Sequence, residues 1–567
     1  MATLMSEDGK KLSFNQQSFV DGMNQSLDAT RIGDREYYLL INGRNRYDAI
    51  QPIKNPKQTN LAELGITDAE PHLQGVYGFG KYLVLFSNGR AFIRDVSISE
   101  VFTPVADLSL NSTVDYIYAE SVPSSTMNFN RVPEENTRNS AMTFTDGVSR
   151  SPQCIVVQDG QEQPWIIESN GIARLAKDYT QWSDSDLTAR EYVPIGTRMK
   201  YINGILYIVN GRDIYRSVTG RPLDFVVNIN STGGKGGEAS TTSHSVDFDE
   251  VTCIYPLASI DGSFFVSTNK NSYIVTPNFN QMFFAEPTFN NTPLFNTGAN
   301  NQFSMIDILG DSALIDISAI RSFNAVLQLK NEGRNSPFSQ KISSLFKNLT
   351  QNVTAAINFD DYGLFAVKTI YGNAILVFDT LTKTFTGLDI YSNVTGEIKQ
   401  FCEVKVGGIR KLFFITTDNQ LFEAYGGVST ATCQLFAGEW CSNDPSLEQK
   451  PNDFKVVFTD AKESGSVTVE PFVDRKRISV LTTNITQNVI PAPTTIPPFG
   501  TSNVDVVQIL TFDLDLVKQG WKVGFWITWG FDATLTHIKC NSAVIPIIQS
   551  DEQSASKFVA ATNAATL

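Results

Sequence analysis

The residues of this sequence that could carry acid–base chemistry are closely spaced carboxylates. Asp247 and Asp249 lie two positions apart, and in a strand this spacing puts both side chains on one face. Similar pairs occur within residues 183–186 and 512–515. A glycosidase needs two carboxylates about 5 to 10 Å apart across a cleft, and the sequence does not fix such a distance. Solvated strand ends are the preferred interpretation.

No other sequence motif indicates a catalytic, metal or cofactor site. The only histidines are His72, His244 and His537, and no G-x-S-x-G motif accompanies them as a hydrolase triad would require. The run STGGKGGEAST at residues 231–241 departs from the phosphate-loop pattern, because Gly236 stands where Ser or Thr is needed. We interpret it as a flexible loop.

The composition favours a mostly β protein that does not wrap nucleic acid. The 567 residues are 42% hydrophobic and 18% charged, and they include 38 Phe. Such a chain can bury large cores, and Phe, Val, Ile and Thr suit strands. The formal net charge of −14 supplies no basic patch to neutralise phosphates, although an acidic wall can line a passage to which DNA must not adhere.

The cysteines and the polar start of the chain indicate a soluble protein made in a reducing cytoplasm. None of the six Cys forms a C-x-x-C pair, so buried free thiols are expected; a bridge between Cys433 and Cys441 is the open alternative. No apolar run approaches the ~20 residues of a membrane helix, and residues 1–34 carry no signal segment.

Six predicted β-hairpins with a shared sequence pattern are the main structural elements of this chain. An apolar run, a turn rich in Asn and Gly, and a second strand recur six times, at residues 82–96, 164–176, 205–218, 263–277, 364–379 and 411–426. Asn and Gly tolerate the positive φ of tight hairpin turns. Small sheets repeated at this period predict a β-propeller of about six blades, with a β-sandwich carrying long insertions as the alternative fold.

The remaining segments complete a three-part division. Residues 1–60 are predicted to be an N-terminal docking segment, residues 61–428 the propeller, and residues 429–567 a separate β domain with a Pro-rich loop at 489–500. Residues 335–352 predict one helix, starting near Pro337, and residues 279–303 predict a long Phe-rich loop.

The hairpin at residues 205–225 also carries a family motif. Its sequence resembles a pattern of the tail nozzle or stabilisation proteins (tail tubular protein B type) of short-tailed bacteriophages. The matching residues are Leu206, Tyr207, Ile214, Tyr215, Ser217, Gly220, Pro222, Asp224 and Phe225. Arg221 departs from the pattern, where an acidic residue is usual. Residues 18–46, 251–277 and 396–426 are similar to further family segments, in the family's order.

This resemblance implies a structural virion protein and no enzyme. Such proteins form a homo-hexameric tube at the distal end of the tail and dock on the adaptor ring below the portal. They retain the packaged DNA and conduct it during ejection, with double-stranded DNA in the lumen held without specific binding. Tail fibres are expected as further partners. No cofactor, metal or membrane insertion is implied, and the protein would be made in the bacterial host cytoplasm and reside in the virion tail.

Two other functions stay open at the level of sequence. One is a propeller-fold glycan-degrading enzyme, and the other is a host-receptor-binding tail protein. A glycanase would need a carboxylate pair in a face lined by Trp and Tyr, but three of the six Trp lie at residues 521–529, outside the predicted propeller. We interpret those three as strand-packing residues rather than as a sugar-stacking surface.

Overall fold

The described residues lie mostly in β-strands, as the composition predicts. The computed structural model describes residues 5–6, 11–25, 28–46, 48–62, 66, 70–123, 153–161, 164–168, 171–176, 193–217, 220, 222–225, 240–245, 249–257, 263–278, 288–295, 298–299, 301–308, 311–315, 320–322, 339–347, 351–369, 371–441, 447–487, 507–514 and 520–546. Two compact units emerge: unit 1 comprises residues 1–53, 384–388 and 429–567, and unit 2 comprises residues 54–383 and 389–428.

The described strands of unit 2 form seven small groups of antiparallel neighbours, which we call sheets 1 to 7 in chain order. Sheet 1 contains β9 (Leu73–Phe79), β10 (Tyr82–Ser87), β11 (Arg90–Asp95) and β12 (Thr103–Pro104). Sheet 2 contains β13 (Tyr118–Pro123), β14 (Gln153–Gln158), β15 (Trp165–Ile167) and β16 (Ala173–Leu175). Sheet 3 contains β17 (Arg198–Ile202), β18 (Ile205–Asn210), β19 (Asp213–Arg216) and β20 (Ser240–Ser245).

Sheets 4 to 7 follow the same plan of sequential hairpins. Sheet 4 contains β21 (Val251–Pro256), β22 (Phe264–Thr268), β23 (Ser272–Asn278) and β24 (Thr288–Phe295), and sheet 5 contains β25 (Met305–Ile308), β26 (Asp311–Ile315) and β27 (Ile320–Ser322). Sheet 6 contains β28 (Gln351–Phe359), β29 (Tyr362–Thr369) and β30 (Gly372–Asp379). Sheet 7 contains β32 (Ile398–Val406), β33 (Ile409–Thr416), β34 (Leu421–Glu423) and β8 (Lys57–Thr59). Sheet 7 therefore joins the two ends of the unit.

All six predicted hairpins are present, and a seventh sheet lies between the fourth and the fifth of them. Sheet 5 falls in the widest gap between the predicted hairpins. The β10–β11 turn has positive φ at both Asn88 and Gly89, as its sequence predicts. In the β18–β19 hairpin, Asn210 pairs with Asp213, so Gly211 and Arg212 form the turn.

Neighbouring sheets of unit 2 share hydrophobic cores. Separate clusters of buried side chains join sheets 1 and 2, 2 and 3, 3 and 4, and 4 and 5. Another cluster joins sheet 7 to sheet 1, where Val76 packs with Val404 and Phe413. The strands approach closely there, since a Cβ on Gly78 would lie 1.7 Å from the carbonyl oxygen of Glu403. The last sheet thus packs against the first.

Unit 1 contains two larger sheets. The first has β1 (Met5–Ser6), β2 (Lys11–Gln16), β42 (Thr534–Pro546), β36 (Leu447–Thr459) and β40 (Gln508–Asp513), with β6 (Gly43–Arg46) and β7 (Ala49–Pro52) beside it. The second has β31 (Thr384–Asp389), β5 (Leu39–Ile41), β35 (Cys433–Cys441), β41 (Lys522–Trp529), β37 (Gly465–Val473), β38 (Lys476–Arg477) and β39 (Leu481–Ile485). Two short strands, β3 (Gly22–Met23) and β4 (Glu36–Tyr37), pair in parallel.

Stacked aromatic rings hold the two sheets of unit 1 together. The ring of Phe14 lies 3.7 Å from that of Trp440, and the rings of Phe454 and Phe525 are 4.0 Å apart. Strand β2 pairs with β42 and β5 pairs with β35. Strands from the predicted N-terminal segment therefore belong to the same unit as the C-terminal strands, which the three-part division of the sequence did not anticipate.

Several local predictions change or fall outside the described residues. Part of the predicted Phe-rich loop is strand β24, which pairs with β23. The predicted helix is short: a 3₁₀ turn at Gln340–Ile342 precedes α1 (Ser343–Lys347), and strand β28 follows. The Pro-rich loop, Pro337 and most of the glycine-rich run lie outside the described residues. No helix of the described residues has the length and hydropathy needed to cross a membrane.

Candidate functional site

The motif hairpin of sheet 3 places its side chains in two different cores. Leu206 and Phe225 are buried in the core shared with sheet 2, whereas Tyr207 and Ile214 are buried in the core shared with sheet 4. The ring of Tyr207 lies 4.4 Å from that of Phe264. Since successive strand residues face opposite ways, one hairpin contacts both neighbouring sheets.

The rest of the motif fixes the backbone of this hairpin. The buried Ser217 hydroxyl oxygen accepts a hydrogen bond from the Leu206 N–H at 2.8 Å, and the Ser217 N–H donates to the Leu206 carbonyl. Gly220 has a φ of +75° and donates to the Gly204 carbonyl. Pro222 and Asp224 are buried, and Tyr215 packs at the edge of the core shared with sheet 2. The hydrogen bonds of Ser217 and Gly220 therefore hold the two strands of the hairpin and the turn that follows it in place.

Four aromatic rings meet where sheets 1, 2 and 5 approach one another, and with Lys399 they form what we call the central cluster. Phe303, in the connection that leads into sheet 5, has its ring 6.5 Å from Tyr77, 5.9 Å from Tyr116 and 6.1 Å from Tyr118. Tyr77 belongs to sheet 1, and Tyr118 begins sheet 2.

The backbone around Phe303 is held by sheets 4 and 6. The Phe303 carbonyl accepts a hydrogen bond from the Ala356 N–H at 2.6 Å. The Gln302 side-chain amide donates to the Ile254 carbonyl at 2.7 Å and accepts from the Ile254 N–H at 3.0 Å. The Asn301 side chain donates to the Thr354 carbonyl. Phe303 is therefore fixed by strands on both sides of its own sheet.

Lys399 brings sheet 7 into the central cluster. Its Nζ lies 4.6 Å from the centroid of the Tyr116 ring and donates to the Leu73 carbonyl at 2.9 Å. Burial lowers the pKa of Lys399, and Asp115 opposes that shift. Burial also raises the pKa of Tyr116 to about 12. The cluster thus combines a cation–π contact with phenols that stay neutral at ordinary pH.

The carboxylates and histidines considered from the sequence do not form a catalytic centre in the part of the chain that the structure describes. Asp249 pairs with Lys270 at 3.0 Å, while Asp247 lies outside the described residues. His72 Nδ1 lies 3.0 Å from the Ser112 carbonyl oxygen. Among these described residues, no group of three His, Cys, Asp or Glu is placed to hold a metal ion.

The six cysteines are free thiols, as the sequence predicts, and five of them are buried. Burial raises the pKa of Cys253 and of Cys540 to about 12, so neither thiol is activated as a nucleophile. Cys433 and Cys441 occupy the two ends of strand β35. At ~3.3 Å per residue their separation is far too great for the disulfide considered as an alternative.

The sequence motifs did not predict the central cluster. Phe303 lay at the end of a segment predicted as a loop, and nothing local indicated that its ring would meet two other sheets. The spacing of Tyr116 and Tyr118 at the start of strand β13 was the available signal, because residues two positions apart can place two phenols side by side.

Comparisons with known proteins leave the family of this chain open. No protein-family model and no curated protein matches the sequence. Among solved structures, the chain is similar to the extracellular domain of a hybrid two-component system from B. thetaiotaomicron, with 11% identity and a TM-score of 0.40. That match covers 79% of this chain, and it spans 50% of the other.

Proposed function

We propose that this protein is a structural component of the tail of a short-tailed bacteriophage, where six copies form the distal nozzle on the adaptor ring. The observation that carries the proposal is the order of four segments along one chain, each resembling the corresponding segment of nozzle proteins. The most specific of these segments, residues 205–225, supports the proposal further because its motif residues lie in sheet cores rather than in a reactive site.

The second part of the proposal is that unit 2 is a β-propeller, with seven blades rather than the predicted six. Support comes from the sharing of cores between consecutive sheets and from the core between sheets 7 and 1. Strand β8, from the start of the unit, completes sheet 7 by pairing with β34. Pairing the first strand with the last strand in one sheet closes a ring of sheets, because the backbone N–H and C=O groups at the two ends of the ring then bond to each other.

DNA in this proposal passes through a lumen formed between copies. The central cluster favours that route, because its rings bring sheets 1, 2 and 5 of unit 2 into contact with one another. The acidic balance of the chain suits a lumen wall along which a polyanion slides without binding. Retention of the genome and attachment of tail fibres belong to the same proposal.

The alternative of a glycan-degrading enzyme gains no support from Asp249. Its carboxylate is engaged with Lys270 at 3.0 Å, an arrangement typical of a surface ion pair. An acid catalyst would need a carboxyl group in a cleft with its pKa raised. The nozzle proposal requires no covalent chemistry, and for that reason we prefer it to the glycan-degrading enzyme.

Light scattering of the purified full-length protein, alone and mixed with its adaptor ring, tests the proposal. We expect a hexamer, or a monomer that joins the ring in six copies. A protein that stays monomeric and ignores the ring would contradict the nozzle role. In that event, glycan cleavage by the wild type and by the double variant Asp247→Asn/Asp249→Asn becomes the decisive comparison.

A further inference from the structure

Four aromatic side chains lie on the outer face of the second sheet of unit 1, and we call them the aromatic platform. Tyr38, Phe436, Phe472 and Trp526 come from four different segments, yet their rings are in contact. The Phe436 ring lies 5.8 Å from Tyr38, 5.6 Å from Trp526 and 6.4 Å from Phe472. All four residues are half-buried, so each retains some contact with solvent.

Strand alternation explains why these rings face away from the core. Along β41, Val523, Phe525, Ile527 and Trp529 are buried, and Trp526 lies between them with its side chain on the opposite face. Gly524 also lies on that outer face, and a Cβ there would be 3.1 Å from the Phe436 ring. The glycine lets the Phe436 ring lie close to the sheet, beside Phe472, the cross-strand neighbour of Gly524.

The edge of the platform carries polar groups, two of which have no hydrogen-bond partner in the described part of the chain. Among the described residues, nothing accepts a hydrogen bond from the Trp526 indole N–H or pairs with the Tyr38 hydroxyl. Glu470 is the cross-strand neighbour of Trp526, and its carboxylate pairs with Arg477 at 2.8 Å. Flat rings bordered by donors and acceptors match a ligand with apolar faces and hydroxyl edges.

The size and charge of the platform limit the class of ligand that can bind there. Half-buried rings expose only a fraction of the ~150–250 Å² that each aromatic side chain carries, well below the ~800 Å² that a stable protein partner covers. A nucleic-acid base could also stack on such rings, but the net charge of the chain is −14, and the nearby Glu470 is already paired with Arg477, so no excess of positive charge is left to hold a polyanion. A neutral sugar presents apolar ring faces without that penalty.

We propose that the aromatic platform binds neutral hexose oligosaccharides, with sugar rings stacked on Trp526 and Phe436 and hydroxyl groups bonded to Tyr38, Glu470 and the indole N–H. This is a binding activity of unit 1 and involves no cleavage. It does not depend on the proposed tail role. The packing role inferred from sequence for residues 521–529 holds for the buried Trp529, and Trp526 also packs against Phe436 of the neighbouring strand while remaining only half-buried.

Binding of the full-length protein to an array of neutral and anionic oligosaccharides, followed by calorimetry with the tightest binder, tests the inference. We expect neutral hexose chains to bind and Trp526→Ala to weaken that binding by at least about tenfold, since it removes a stacking ring and a donor. Trp521→Ala is the matched control: Trp521 is 42% exposed and lies outside the platform, so its loss should leave the affinity unchanged.

Two further variants keep the test informative if Trp526→Ala misfolds. Trp526→Phe keeps a ring but removes the N–H, and Glu470→Gln keeps the shape but removes the charge; both are expected to bind more weakly than the wild type. The inference is overturned if no neutral oligosaccharide on the array binds, if only anionic chains bind, or if Trp526→Phe and Glu470→Gln bind as tightly as the wild type.

Discussion

At the scale of single residues, charge placement in unit 1 is the most informative feature. Asp28 pairs with Arg475 at 2.8 Å and with Lys522 at 3.3 Å, and the same two cations lie within 4 Å of the buried Glu439. The four groups alternate in sign and connect residue 28 to strands near the end of the chain. Sequence alone offers no reason to join Asp28 to Lys522, which lies 494 positions away.

Asp28 gives a pH prediction. Burial alone would raise its pKa, but hydrogen bonds from Thr30 and Lys522 outweigh burial and lower the pKa to about 2. Because the folded pKa lies below the ordinary value of 3.8, the stabilisation is complete above that value and is lost as pH falls towards 2. Asp28→Asn should lower the unfolding midpoint at pH 7 and have little effect near pH 2.

Urea unfolding of both proteins at a series of pH values checks this prediction. Asp21→Asn serves as the control, because Asp21 meets only Arg35, at 3.7 Å, with both side chains about half exposed. A difference between wild type and Asp28→Asn that is the same at pH 7 and at pH 2 would contradict the assignment.

At the scale of elements, the junctions between sheets decide how unit 2 is held together. Turn chemistry and apolar runs were sufficient to predict six hairpins, because those signals are local. The junction of sheets 7 and 1 is different. The Gln400 amide donates to the Val76 carbonyl at 2.7 Å and accepts from the Val76 N–H at 3.1 Å, across 324 positions of sequence. No local pattern marks that glutamine.

Gln400→Leu tests this junction. The change removes both partners of the buried Val76 backbone groups, each of which then costs about 1–3 kcal/mol to leave unpaired. We expect a lower unfolding midpoint and faster hydrogen exchange at the Val76 amide. Gln487→Leu, at an exposed position, is the matched control and should change neither quantity. Unchanged exchange at Val76 would show that the junction does not need the glutamine.

At the scale of the whole molecule, the chain builds each unit from segments that are distant in sequence. Unit 1 draws on both ends of the chain and on residues 384–388, where the Leu388 carbonyl accepts a hydrogen bond from the Asn42 N–H. Unit 2 is secured by strand β8, which comes from its beginning and pairs with β34 at its end. Folding of either unit therefore requires long-range pairing, which is entropically costly and slow.

Phe303→Ala tests the central cluster as a point where sheets of unit 2 meet. Removing a ring that contacts Tyr77 and Tyr118 should destabilise unit 2 by up to ~3 kcal/mol, less than for a fully buried Phe. Hydrogen exchange should rise in sheets 1 and 2 as well as near residue 303. Tyr371→Ala, in an exposed turn, is the control. A change confined to residues next to Phe303 would contradict a shared cluster.

The sequence by itself determined the strand-rich composition, the six hairpins and the free thiols, because alternation, turn residues and cysteine spacing act over a few positions. Only the tertiary structure decided which sheets share cores, that sheet 5 adds a seventh, and that Trp526 faces outward while Trp529 is buried. These outcomes depend on contacts beyond the reach of local sequence patterns, and at the junction of sheets 7 and 1 the contact between Gln400 and Val76 spans 324 positions. The buried and hydrogen-bonded surface that such contacts gain forms only when the chain has folded.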